Sequence, residues 1–174
     1  NIIKDDCILT DVGSVKGNIH RAVSEIGLDK NFIGGHPMTG SDRTGYENSS
    51  ELFMENAYYL LTPSNETSKD DIDYMYRLVK EMGSIAYIID YYKHDEITAA
   101  ISHLPHIIAS SLVNTVSDND DAEEHMKTFA AGGFKDITRI ASSSPEMWQS
   151  IFLSNPEFIV EYIDKFTANL NLYK

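Results

Sequence analysis

The chain has 174 residues, 42% of them hydrophobic and 24% charged, enough for one domain or two small ones with a real core. Its formal net charge of −13 argues against a nucleic-acid partner, whose phosphates call for a basic face. No apolar run reaches the roughly 20 residues that span a bilayer, so no membrane association is expected, and the single cysteine, Cys7, can form no intramolecular disulfide, in keeping with a cytoplasmic location.

In chain order, residues 7–12 read as a strand that stops at Gly13-Ser14. Apolar residues at helical spacing (Val15, Ile19, Ala22, Val23 and Ile26) predict a helix over 15–26, ended by Gly27. Residues 31–35 and 57–62 are short strands, the first running into His36-Pro37 and the second closed by Pro63. Thr67-Ser68 caps a helix over 69–82, whose early Asp70, Asp71 and Asp73 suit the positive end of the helix dipole. Residues 85–89 form a fourth strand. Strands alternating with helices predict a mostly parallel sheet with helical crossovers.

After Asp90 the sequence reads as helical throughout. A long stretch over 91–116 is interrupted at Pro105. Asn119-Asp120-Asp121 starts a further helix that ends near Gly132-Gly133. Ser144-Pro145 and Asn155-Pro156 each open a helix with a capping side chain and a proline at the first helical position, the last helix running to about Leu172. The expected fold class is α/β plus all-α, with residues 1–90 in the first domain and 91–174 in a helical one. The chain enters a strand directly after the charged Lys4-Asp5-Asp6 and has no initiator methionine, so a longer parent protein is expected.

Four segments carry candidate chemistry. Asp11-Val12-Gly13-Ser14-Val15-Lys16 lies where a strand meets a helix, and open α/β sheets bind ligands at the carboxyl ends of their strands. Asp11, Gly13 and Ser14 are therefore candidate ligand contacts, although Ser14 also reads as an ordinary helix N-cap. In Gly34-Gly35-His36-Pro37-Met38-Thr39-Gly40, glycines let the backbone pass close to a ligand. Pro37 rigidly places His36 at a strand end, where an imidazole can take a proton near neutral pH. The loop behind it, from Ser41 to Ser50, is polar. His103 and His106 stand three residues apart around Pro105. No third ligand has a recognisable spacing, so no metal site is predicted; one histidine should face a site and the other pack inside. Gly132-Gly133 reads as a turn before a polar segment in which Arg139 either grips a carboxylate with its planar fork, pinned by Asp136, or makes a surface ion pair.

Taken together, DVGSVK (11–16), GGHPMTGSDRTG (34–45), SHLPH (102–106), GGFKDITRIA (132–141) and SPEMW (144–148) resemble the prephenate dehydrogenase family over essentially the whole chain. The resemblance implies the C-terminal half of a Rossmann-like NAD(P)-binding domain followed by a helical substrate-binding and dimerisation domain. It implies oxidative decarboxylation of prephenate to 4-hydroxyphenylpyruvate in tyrosine biosynthesis, with NAD or NADP as cofactor and a homodimer formed through the helical domain. By the same resemblance His36 takes the proton of the substrate's ring hydroxyl and Ser14 orients that hydroxyl. Arg139 binds the ring carboxylate, His106 faces the pyruvyl side chain, Asp136 supports the arginine segment, and Ser41 borders the site. Asp11, Gly13, Ser14 and Pro37 fall on its cofactor side. Lys135, Arg139 and His106 would give local positive potential within an acidic chain.

One departure stands out. Family members begin with a GxGxxG turn that cradles the cofactor pyrophosphate, and the ten glycines of this chain nowhere form it. The motif is expected upstream of Asn1, and the chain alone is expected to bind NAD(P) weakly and to be inactive. Two further readings fit the same residues: an arogenate dehydrogenase, with an amino-acid side chain in place of the keto acid, and a non-catalytic helical dimerisation module.

Overall fold

The computed structural model describes residues 3–4, 6–40 and 45–174, with only the backbone of Glu51. The chain divides into two compact units, Asn1–Thr98 and Ala99–Lys174.

In the first unit, β1 (Leu9–Thr10), β2 (Phe32–Pro37), β3 (Tyr58–Pro63) and β4 (Ile85–Ile88) form one sheet in chain order. β1 runs parallel to β2, with Leu9 opposite Phe32, and β3 parallel to β4, with Tyr59 opposite Ala86. The helices α1 (Gly17–Glu25) and α2 (Lys69–Glu81) lie between the strands of these two pairs. β2 and β3 are antiparallel, with His36 opposite Leu60, so the mostly parallel sheet expected from the sequence carries one antiparallel step. The connection between them contains only the 3-10 turns Tyr46–Asn48 and Glu51–Met54 among its described residues. Without a helix to carry it back along the sheet, the chain returns beside β2 in the opposite sense. Ile33, Tyr59 and Leu61 from the sheet pack with Met75 and Val79 of α2 and with Ala86. Burying these side chains is the main stabilisation of the unit, worth about 1.5–3 kcal/mol for each large one. The Ser68 hydroxyl caps α2 by accepting from the Asp71 amide at 3.1 Å.

α1 does not start as the sequence suggests. Its first residue is Gly17, and no side chain of its own neighbourhood caps it, so Ser14 is not its N-cap. The cap comes from α3 (Tyr91–Thr98). The Asp95 carboxylate accepts from the Lys16 amide at 2.8 Å and the Gly17 amide at 2.7 Å, satisfying two of the donors that every helix leaves open at its start.

The second unit is helical throughout. A π-helical segment, Ala99–His103, leads into α4 (Leu104–Asp118). The irregularity therefore precedes Pro105 instead of falling on it. Proline offers no N–H to the Ile101 carbonyl and crowds it, and a wider turn just upstream relieves both problems. Past α4, the helix expected from Asn119 is much shorter, α5 (His125–Phe129). The Asp120 side chain reaches forward to accept from the Met126 and Lys127 amides at 2.8 and 3.0 Å, so the acidic run caps the helix from a distance. Gly132-Gly133 is not a turn but opens α6 (Gly132–Thr138), followed by a 3-10 turn, Arg139–Ser142. α7 (Pro145–Ser154) is capped by Ser144, as read. α8 (Pro156–Asn171) has no side-chain cap, because the Asn155 amide is turned to His103 instead, at 3.4 Å. Ala99, Phe158 and Ile159 form the centre of this unit, with Ile107, Phe152, Tyr162 and Ile163 packed around them. Among the described residues no helix is long and apolar enough to cross a membrane.

Candidate active site

The first unit gathers its polar groups at the carboxyl ends of β1 and β2. Asp11, just past β1, is a hub. One of its carboxylate oxygens accepts from the Gly13 amide at 2.8 Å and from the Lys16 ammonium, and the other accepts from the Gly35 amide at 3.1 Å. Lys16 is fully buried and also donates to the Gly35 carbonyl at 2.7 Å. Burial pushes its pKa down, while the hydrogen bond and charge of Asp11, and the charge of Asp95, push back. The Gly34-Gly35 pair permits close approach, as its composition suggests, but to the protein itself. A Cβ on Gly35 would stand 2.5 Å from the Asp11 carbonyl oxygen, and one on Gly34 would overlap the Thr62 hydroxyl.

His36, near the end of β2, is partly buried. Its Nδ1 lies 2.8 Å from Nε2 of His94 on α3. His94 is fully buried, and its own Nδ1 lies 2.8 Å from an oxygen of Asp95, the carboxylate that caps α1. A continuous chain of hydrogen bonds thus runs from His36 through His94 and Asp95 to the start of α1. Ser14 lies partly buried in the loop between β1 and α1, and Pro37 partly buried at the end of β2. Ser41 lies outside the described residues.

In the second unit, His106 on α4 is 5% exposed and stacks on Trp148 of α7 with ring centroids 3.8 Å apart and planes 10° from parallel. Burial pushes its pKa below 6.5, opposed by the nearby Ile140 backbone. Its Nε2 lies 3.5 Å from the Ser110 hydroxyl, and α4 packs against both α6 and the turn bearing Arg139. Arg139 and Asp136 are exposed. His103 is buried as deeply as His106 and meets Asn155. The Trp148 indole nitrogen is buried without a hydrogen-bond partner among the described residues.

Sequence reading did not single out His94 or Asp95. The only local signal is a histidine followed by an acid early in a helix, a pattern that usually faces solvent. What gives it meaning is pairing with residues 58 and 79 positions away, which no local window contains.

A mostly parallel sheet with polar groups at its strand ends, followed by an all-helical unit, has the architecture of a nucleotide-binding α/β domain joined to a helical domain. The family model "Prephenate dehydrogenase, nucleotide-binding domain" matches residues 1–88, and "Prephenate dehydrogenase, dimerization domain" matches residues 90–174. The chain belongs to the prephenate dehydrogenase family. It is 39% identical over 172 residues to the prephenate dehydrogenase of Bacillus subtilis, covering 97% of this chain and 46% of that one. The crystal structure of the Aquifex aeolicus prephenate dehydrogenase in complex with hydroxyphenyl propionate and NAD+ superposes with a TM-score of 0.90 at 37% identity, covering 98% of this chain and 59% of that one. Synechocystis arogenate dehydrogenase superposes with a TM-score of 0.83 at 28% identity, covering 95% and 59%. The chain spans about half the length of the curated relatives it matches.

Proposed function

We propose that this chain supplies the catalytic base and the substrate side of an NAD(P)-dependent dehydrogenase that converts prephenate to 4-hydroxyphenylpyruvate and carbon dioxide. The observation that carries this reading is His36 itself, placed at a strand end with one ring nitrogen committed to a buried histidine. A base for this reaction needs that arrangement: fixed in direction, and within reach of a ligand at the sheet edge.

The residues present fit one end of the cofactor better than the other. Gly13 and Ser14 lie in the loop after β1 and Pro37 ends β2, where a flat nicotinamide ring would meet little side chain. The start of α1 does not fit a pyrophosphate, because Asp95 already occupies the Lys16 and Gly17 amides. Asp11 shapes this edge through its bonds to Gly13, Lys16 and Gly35. Bound NAD(P)+ supplies the hydride acceptor.

The role of each residue follows from the chemistry of the substrate. Ser14 orients the ring hydroxyl, and His36 Nε2 takes its proton as hydride departs from the same carbon. Arg139 holds the ring carboxylate, supported through Asp136 in its segment, and His106 faces the pyruvyl group. When the carboxylate leaves as carbon dioxide, the electron pair of the broken bond enters the ring and makes it aromatic. The step is strongly downhill, so positioning and one proton acceptor suffice. The helical unit would join two copies into a homodimer.

The test is NAD(P)H formation by the holoenzyme with prephenate and with arogenate. Turnover of prephenate is the expected result; no turnover of either would sink the reading. Preference for arogenate would establish the second reading, which the likeness to Synechocystis arogenate dehydrogenase favours.

A further inference from the structure

We propose that His94 and Asp95 are positioning residues that fix which nitrogen of His36 is the base. The inference rests on His36 being the base and names what prepares it.

Each hydrogen bond in the chain fixes the next. The Asp95 carboxylate receives backbone N–H donors on both oxygens, from Lys16 at 2.8 Å and from Gly17 at 2.7 Å. A backbone amide can only donate, so Asp95 is held as an acceptor on both sides, the natural state for a carboxylate at a helix N-terminus. The oxygen that accepts from Lys16 also faces His94 Nδ1 at 2.8 Å, so His94 Nδ1 carries a proton and donates it. A neutral imidazole has one donor and one acceptor nitrogen. His94 Nε2 is therefore an acceptor, and it lies 2.8 Å from His36 Nδ1. His36 must hold its proton on Nδ1, which leaves Nε2 as the basic nitrogen.

Burial gives the arrangement its force. His94 is fully shielded and Asp95 is 5% exposed, so water cannot readily stand in for either partner. When His36 takes a proton at Nε2 it becomes an imidazolium whose Nδ1–H is already bound to His94. His94 is in turn polarised by the Asp95 carboxylate, so the new charge forms with its stabilising partners in place. Asp95 also anchors α1, so the helix that follows the Asp11–Ser14 segment and the base share one carboxylate.

The tautomer can be read directly from the imidazole 15N spectrum of labelled protein, with His36 assigned by its loss in His36→Asn, at a pH where the ring is neutral. The expected result is a His36 protonated on Nδ1; a His36 protonated on Nε2 overturns the proposal and needs no variant to show it. Asp95→Asn places an amide where the carboxylate stood and invites the reversed pattern. With His94→Gln as a second variant, kcat for prephenate should fall on the order of a hundredfold or more while KM stays within about threefold. Folded variants that keep both the kcat and the His36 tautomer of the parent overturn the proposal. Failure of the functional reading looks different: no turnover by the parent enzyme, with the His36 tautomer as expected.

Discussion

Gly35 sits so close to Asp11 that the two backbones leave no room for a side chain between them. A Cβ at position 35 would come within 2.5 Å of the Asp11 carbonyl oxygen and 2.8 Å of the Tyr59 hydroxyl. The same glycine donates its amide to the Asp11 carboxylate and accepts from the Lys16 ammonium at its carbonyl, and it immediately precedes His36.

Gly35→Ala should therefore cost stability through overpacking, on the order of 1–3 kcal/mol, and displace His36 as β1 and β2 part. Urea denaturation with a parallel activity assay checks this. An unchanged denaturation midpoint would show that the strands can separate without strain.

The roles proposed for His36 and Arg139 predict distinct kinetic signatures. His36→Asn should lower kcat by roughly 10²–10⁴-fold with little change in KM, since it removes proton transfer but not substrate contacts. Arg139→Gln should chiefly raise KM, because it removes a two-pronged contact with a carboxylate. Steady-state kinetics on the holoenzyme distinguish the two patterns, and the reverse outcome would exchange the assignments.

Acid stability should carry the mark of two buried histidines. Burial lowers the pKa of His20 and of His106 below 6.5, with the Thr62 hydrogen bond and the Ile140 backbone opposing it respectively. Below pH 6.5 the unfolded chain binds protons that the folded chain does not, so stability falls as the pH drops from 6.5 towards the lowered values. Each group contributes at most about 1.4 kcal/mol per pH unit. Above pH 6.5 neither contributes a slope. Chemical denaturation across this window should give a shallower dependence for His20→Gln, and an unaltered slope would mean that the His20 pKa is not depressed.

Capping makes a sharper local test. Ser144→Ala removes the hydroxyl that accepts from the Met147 amide and should cost about 1 kcal/mol. Thermal unfolding of the variant measures it, and a loss well under half that value would mean that water serves α7 equally well.

The legible parts of the fold are those fixed by short-range chemistry. The Ser68 and Ser144 caps, the position of β4 and the helical character of everything after Asp90 follow from spacing, capping residues and proline placement. His36 was legible for the same reason, a histidine fixed by Pro37 at a strand end. What escaped depends on partners far apart in sequence. α1 takes its cap from Asp95, and Ser14, the best local candidate, is not used for it. The antiparallel turn of β3 depends on a connection without a helix, which strand propensity does not register. Asn155, a capping residue by type, is held by His103 from another segment.

The π-helical segment before α4 has a consequence for how relatives are compared. A turn of this kind accommodates an extra residue, and one residue amounts to about 100° of rotation around an α-helical axis. Ala99 begins this segment packed with Phe158 and Ile159, whereas His106 lies a few residues beyond it against Trp148. The wider turn absorbs that residue, so the faces on either side keep the azimuth of an uninterrupted α-helix one residue shorter. A single deletion within Ala99–His103 should turn the segment into ordinary α-helix and leave His106 on the Trp148 ring, whereas the same deletion within α4 before His106 would swing it away. A one-residue gap in an alignment is therefore silent in the π-helical stretch and a change of direction just after it.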